Sequence, residues 1–370
     1  MARAAQSSHL AARVRETMTT LAGISAVSGQ EDAMRRYLRA RLEGQRLACM
    51  VDSVGNLIAR VPGEGPPLLL NAHMDRVPPG RGHAPVVAGG RMRSDGTTNL
   101  GADDTAGLTI VVLTVEEVLR RGGTHVPLVL LFTVGEEVGL KGASAFDPAP
   151  WQVSEGIVFD NAGSAGDVVT RGAAYVAFEV TLRGRGGHPG KALAGTVSAI
   201  ELFRRATLPL GSLDGDTTRI SLGTIEGGTA RNAIAAEVRL AGEVRTTLEG
   251  EPLRRLLASI ERDFTDAAQA LGGSAECVFE PHGAGYTVDP EEPLLRAWRT
   301  SWAARGHACA PLATFIGSDA NALRRHLRVF TVSTGVEDEH TVGESIALAP
   351  LAELVEATVA LLTTYRSPLA

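Results

Sequence analysis

Lysine, aromatic residues, cysteine and long apolar runs are all scarce in this 370-residue chain, and each scarcity excludes something. Only Lys141 and Lys191 are lysine among 36 basic residues, and the arginines are scattered. With a formal net charge of -6, the chain offers no basic footprint for nucleic acid. Cys49, Cys277 and Cys309 stand far apart, without the pair spacings of a thiolate zinc site or a disulfide framework, and are expected as small core residues. The longest apolar runs, Val126 to Val134 and Thr109 to Val115, fall well short of the ~20 residues a membrane-spanning helix needs. Arg3, Arg13 and Arg15 occur in the first thirty residues without a continuous apolar segment. No secretory signal and no membrane association are therefore expected, and the expected compartment is the cytoplasm. Aromatics make up only 4%, but the 44% hydrophobic content is ordinary and excludes disorder as the main state. The length suffices for two cores.

Short apolar runs alternate with helical stretches in the first half. Residues 8–22 and 31–43 read as helices. Leu57 to Val61, Leu68 to Ala72, Leu128 to Val134 and Ile157 to Phe159 read as strands, the later ones apolar on both faces. Such runs suit the interior of a mostly parallel sheet covered by helices. Thr105 to Arg121 reads as a long helix, with Asp103 or Asp104 near its start and Gly122-Gly123 ending it. From about residue 173 the order becomes β-α-β-β-α-β, that of a ferredoxin-like split unit. The strands there are Tyr175 to Leu182, Arg219 to Ile225, Ala235 to Thr246 and Ala275 to Phe279; the helices are Val197 to Ala206 and Glu251 to Leu271. A helix over Pro290 to Ala304, a strand over Arg328 to Ser333 and a closing helix over Leu351 to Tyr365 resume the first pattern. The expected architecture is α/β: a discontinuous catalytic domain with a mostly parallel mixed sheet (1–172 and 282–370) and an inserted ferredoxin-like α+β lid or dimerisation domain (173–281).

Histidines and carboxylates cluster where strands end or a helix begins, the places where an open parallel sheet puts its ligand sites. His73 and Asp75 follow a strand and, two residues apart on extended chain, point the same way. Asp103-Asp104 stands at a helix start, where a cap is the plainer reading and a carboxylate bridging two ions the sharper one. Glu136-Glu137 follows a buried strand, and adjacent carboxylates near an apolar core are costly unless a cation or proton compensates. Asp160 ends another strand, and His340 follows the last one. Each signal is weak alone; their shared placement, without paired cysteines, specifies a nitrogen and oxygen site suited to zinc or a similar divalent ion.

Those residues occur in the order used by the two-zinc exopeptidases and amidohydrolases of the aminoacylase and carboxypeptidase family. The chain most resembles the peptidase T-like branch, the tripeptide aminopeptidases. The likeness extends to Gly187-His188-Pro189-Gly190, Gly227-Gly228-Thr229-Ala230-Arg231-Asn232, Gly242-Glu243-Val244-Arg245 and Gly317-Ser318-Asp319-Ala320. It implies two divalent metal ions, expected to be zinc. Asp103 would bridge them, His73 and Asp160 would complete one site, and Glu137 and His340 the other. Asp75 would orient His73, Glu136 would be the general base, and the peptide after Asp103 would be cis. The family's usual lysine two residues after the bridging aspartate is Thr105 here. His188, Asn232 and Arg245 would bind substrate, with His188 acting across a homodimer interface made by the inserted domain. The glutamyl aminopeptidases share the core, but they insert their extra domain between the first histidine and the bridging aspartate. Only thirty residues separate His73 from Asp103. The expected activity is that of an exopeptidase on short peptides, a tripeptide aminopeptidase. The alternatives are a carboxypeptidase or N-acyl-amino-acid deacylase of the same family, and then a non-catalytic zinc-binding dimer scaffold.

Overall fold

A computed structural model describes residues 2–191, 194–215 and 217–368. Packing divides the chain into two units: residues up to Thr170 with Thr287–Ala313 and from Ser318 onward, and Arg171–Tyr286 with Thr314–Gly317.

Four strands form the parallel centre of the first unit's sheet, side by side in the order Leu128–Thr133, Leu68–His73, Glu155–Phe159 and Arg328–Val332. Every residue of the first three is buried, as their unbroken apolar runs require of strands covered on both faces. Leu57–Val61 pairs antiparallel beside Leu128–Thr133, so the sheet is mixed. All four parallel strands end at one edge. His73 closes one strand, Glu136-Glu137 and Asp160 follow two others, and the chain leaving Arg328–Val332 leads to His340.

The helix Ala102–Arg121 packs on Leu68–His73 and Glu155–Phe159, and is itself flanked by Ala2–Ala22 and Leu348–Thr364. Its residues from Asp104 to Val115 are all buried, so it is a core helix rather than an amphipathic one. Asp103 and Asp104 have non-helical dihedrals, and regular helix begins with Thr105. Gly107 permits the close fit: a Cβ there would run into the Phe159 carbonyl and the Asp104 carboxylate. A second, antiparallel sheet runs Val336–Glu337, Ser345–Ala347, Arg91–Arg93, Val86–Ala88. Its first two strands make a hairpin whose loop carries His340.

The second unit has an antiparallel sheet ordered Gly211–Leu213, Thr218–Gly227, Glu237–Thr246, Ala174–Arg183, Ser274–Gly283. The last four strands follow ferredoxin-like connectivity. In Ala174–Arg183 alternate residues face inward, and Val176, Phe178, Val180 and Leu182 pack with Leu202, Ile260 and Phe264 from the helices Ala199–Arg205 and Gly250–Gln269. The cysteines are free and half-buried, Cys277 packing against the margin of the second unit's core. Cys49 and Cys277 lie on short or half-covered strands, where a small side chain meets solvent on one side. Among the described residues no helix is long and apolar enough to cross a membrane.

Candidate metal centre

The edge of the parallel sheet brings together residues far apart in sequence. His73 is buried, with Nε2 3.0 Å from Asp103 Oδ1 and 3.6 Å from Asp160 Oδ1. The other oxygen of Asp103 faces a different imidazole: Oδ2 lies 3.2 Å from His340 Nε2, which is also 3.1 Å from Glu137 Oε1. Asp103 thus stands between two pockets, one with His73 and Asp160, the other with Glu137 and His340. The peptide bond Asp103-Asp104 is cis.

Asp104 belongs to the scaffold. His73, Asp104 and Asp160 also bring possible ligand atoms within 4.8 Å of one another. Yet Asp104 Oδ2 accepts the His73 N–H at 3.1 Å and Oδ1 accepts the Gly107 N–H at 2.9 Å. Both oxygens are engaged with backbone, so Asp104 caps the helix and pins the strand end beside it. Asp75 is likewise a joint. Oδ2 accepts from Ser28 Oγ at 2.7 Å and from the Glu137 N–H at 3.2 Å, while Oδ1 accepts from the Glu136 N–H at 2.9 Å. Oδ1 is also 3.5 Å from His73 Nδ1, whose nearer partner is the Asp75 carbonyl at 3.1 Å. One fully buried carboxylate therefore ties the Glu136-Glu137 turn to His73.

The electrostatics are those of an anionic pocket. Burial pushes the Glu136 carboxyl well up, and Asp160 adds to the push. Burial also raises Asp160 and Glu137, against the pull of His73 and His340 respectively. For Asp103, burial is outweighed by His340 and His73, which hold its carboxyl below the usual range. Hydrogen bonds to Asp103 and Glu137 lift His340 to about 10. His73 is also raised, Asp160 and Asp103 overcoming its burial. Among the described residues, the cationic partners within 4 Å of the Asp103, Asp160 and Glu137 carboxylates are the two imidazoles. Asp160 Oδ2 is buried without a hydrogen-bond partner, and Glu137 Oε1 has the His340 imidazole beside it at 3.1 Å. Buried carboxylate oxygens with so few partners, clustered with imidazoles, match the donor set of divalent cations.

A family model described as Peptidase family M20/M25/M40 matches residues 69–364, spanning both pockets. The chain belongs to this family. It is a hydrolase acting on peptide bonds. The M20 chain is 31% identical over 313 residues, 83% of its length and 84% of the relative's, to the uncharacterized protein YqjE of Bacillus subtilis. The solved aminopeptidase PepT of Bacillus cereus is similar at TM-score 0.90 and 27% identity, over 95% of this chain and 98% of that one. A tripeptidase of Staphylococcus aureus is similar at TM-score 0.91 and 26% identity, with the same coverage.

Three further residues expected to bind substrate lie in the second unit of this M20 peptidase. His188 is exposed, its Nδ1 accepting the Gly190 N–H at 3.1 Å, and Asn232 is exposed in the turn after Gly227–Gly228. Arg245 is half-buried: Nε bonds Glu243 at 2.9 Å, Nη1 bonds the Phe315 carbonyl at 2.9 Å, and the guanidinium stacks 4.7 Å from the Tyr175 ring centre. Sequence reasoning assigned no part to Asp319, although its motif stood out. Its Oδ2 accepts from Thr133 and Asn71, its Oδ1 is an orphan, and burial pushes its carboxyl to about 6. Ser28 carried no signal at all.

Proposed function

We propose that this peptidase is a dinuclear, zinc-dependent aminopeptidase acting on tripeptides. The observation that carries the reading is Asp103, whose two oxygens each face a different histidine, with Asp160 and Glu137 beside them. His73, Asp103 and Asp160 would hold one ion, and Asp103, Glu137 and His340 the other. When bound, such ions act as Lewis acids that lower the pKa of water to about 7 and stabilise negative charge on a carbonyl oxygen. Glu136 then serves as the base, taking the proton from water and handing it to the departing amine. Its raised affinity for protons suits both transfers, and the Asp75 bond to its backbone N–H fixes where it stands. Asp75 also orients His73.

The likeness to an aminopeptidase and a tripeptidase supports the substrate class. His188, Asn232 and Arg245 are assigned to substrate binding, Arg245 as the partner of a peptide carboxylate, its guanidinium held flat on Tyr175. The second unit is assigned the part of a lid and homodimer contact; its Val278, on the face away from the helices, is 55% exposed. Three free thiols suit a reducing compartment such as the cytoplasm.

A panel comparing a free tripeptide with its N-acetylated and C-amidated forms tests the specificity. Cleavage that needs the free amino end is expected; indifference to it would assign the enzyme to the carboxypeptidases or deacylases instead. Glu136→Gln is expected to lower kcat by at least a thousandfold with bound metal unchanged. Retained turnover would refute the base.

A further inference from the structure

Arg76, the residue after Asp75, is only 1% exposed. A buried guanidinium is costly unless its surroundings compensate, so its neighbours disclose its use. Nη2 donates to the Leu21 carbonyl at 2.7 Å and Nη1 to the Ala22 carbonyl at 3.0 Å. Both acceptors end the helix Ala2–Ala22, where the helix dipole favours a cation. Nη1 also lies 3.2 Å from His83 Nδ1, and His83 Nε2 lies 3.0 Å from Asn99 Oδ1. The remaining edge, Nε, presses on Gly101: a Cβ on that glycine would sit 2.5 Å from it.

The same turn is gripped from its other side by an anion. Glu344, also 1% exposed, accepts the Gly101 N–H at 2.8 Å through Oε2 and the Asp103 N–H at 3.0 Å through Oε1. The Arg76 and Glu344 charges attract through the protein interior. Glu344 lies four residues after His340, where the hairpin loop returns to the strand Ser345–Ala347. It therefore ties the loop bearing His340 to the backbone of Asp103. The two pockets differ in how they are anchored. His73 and Asp160 sit at the ends of hydrogen-bonded parallel strands. His340 sits in a loop, in a left-handed conformation, and its distance to Asp103 depends on what clamps that loop.

We propose that Glu344, with Arg76 as its buried counter-charge, is a positioning residue that holds the spacing of Asp103 and His340 and so sets the affinity of the Asp103, Glu137 and His340 pocket for its ion. The inference rests on the dinuclear reading above. The test uses the full chain, stripped of metal and titrated with Co2+ by calorimetry and visible absorption. The wild type is expected to show two binding events. Glu344→Gln keeps the side chain's shape but turns an NH2 toward a backbone N–H. One event is expected to weaken at least tenfold while the other stays within threefold, and excess Co2+ is expected to restore kcat. Glu344→Asp retains the charge with a shorter reach, and its loss is expected to be smaller. Adding Arg76→Met to Glu344→Gln is expected to cost less than the two single losses multiplied, because opposite buried charges leave together. If Glu344→Gln loses its far-UV circular dichroism, Arg76→Met alone carries the test and the same selective weakening is expected. Equal weakening of both events in a folded variant, or no change in either, overturns the proposal. A wild type that binds fewer than two ions instead overturns the dinuclear reading.

Discussion

Asp75→Asn isolates how much of the chemistry depends on a residue that need not touch substrate. Asp75 is fully buried and accepts three hydrogen bonds, from Ser28 Oγ and the backbone N–H groups of Glu136 and Glu137. Asparagine offers one acceptor oxygen and one NH2, so an amide that donated to a carboxylate must now face another donor. At least one charge-assisted bond goes, worth about 1.5–3 kcal/mol, and the orphaned N–H adds about 1–3 kcal/mol. Relief of the buried charge returns part of this, leaving an expected destabilisation of about 2–4 kcal/mol. The kinetic effect is expected to be larger in kcat than in KM, because the Glu136-Glu137 turn shifts while substrate contacts remain. Loss of a residue that orients a ligand costs about 10–100-fold, and a base misplaced by about 1 Å costs about 100-fold more. The expected fall in kcat is therefore about a thousandfold to ten-thousandfold. Ser28→Ala removes only the neutral donor and is expected to cost about 1 kcal/mol and less than tenfold in kcat. Steady-state kinetics on a tripeptide, metal analysis and urea unfolding measure all three quantities. An Asn variant with kcat within threefold of wild type, or a Ser28→Ala variant equally impaired, would refute the reasoning.

Asp103→Asn is expected to abolish binding of the second equivalent of metal, whereas Asp104→Asn is expected to retain both equivalents and lose about 2–3 kcal/mol of stability, because of these two aspartates it is Asp104 that serves backbone amides with both oxygens. Metal analysis beside thermal melts distinguishes the two. Gly107→Ala places a methyl group against the Phe159 carbonyl and is expected to cost at least about 3 kcal/mol, read by denaturant unfolding. Glu117 collects hydrogen bonds from Arg13, Arg120 and Arg121; those from Arg120 and Arg121 outweigh its burial and draw its carboxyl down to about 2. A depressed carboxyl gives stability that is complete above its ordinary value of 4.5 and disappears as pH falls toward 2. Glu117→Gln is expected to cost about 1–2 kcal/mol at pH 7, after allowance for solvent screening, and progressively less below pH 4.5. Melts at pH 7 and pH 3 check the convergence.

The sheet centre was legible because parallel strands covered on both faces read as unbroken apolar runs, and most of the candidate ligands because they stand at or after the end of such a run, Asp103 opening a helix instead. Short strands such as Val86–Ala88 and Val336–Glu337 hold too few residues for alternation to show. Choosing Asp103 over Asp104 required the family resemblance: two adjacent aspartates at a helix start look alike until the backbone shows which is consumed by N–H groups. Arg76 and Glu344 were illegible for a different reason. Among 36 basic and 42 acidic residues, nothing local distinguishes a buried pair whose contacts lie with Leu21, Ala22, Gly101 and Asp103. The half-buried cysteines likewise reflect sheet position, which composition does not reveal.

The strands Glu155–Phe159 and Arg328–Val332 are hydrogen-bonded neighbours, yet the whole second unit lies between them in the chain. During synthesis the nascent polypeptide must wait for this pairing. Asp160 leaves the ribosome 180 residues ahead of His340, and His73 and Asp103 earlier still, a delay of at least roughly 10–40 s at ordinary elongation rates. Until then one side of Glu155–Phe159 is an open apolar edge, the kind of surface that chaperones cover. The ferredoxin-like unit, whose own strands are contiguous in sequence, has all of its sheet synthesised before the sheet that surrounds it in the chain can close.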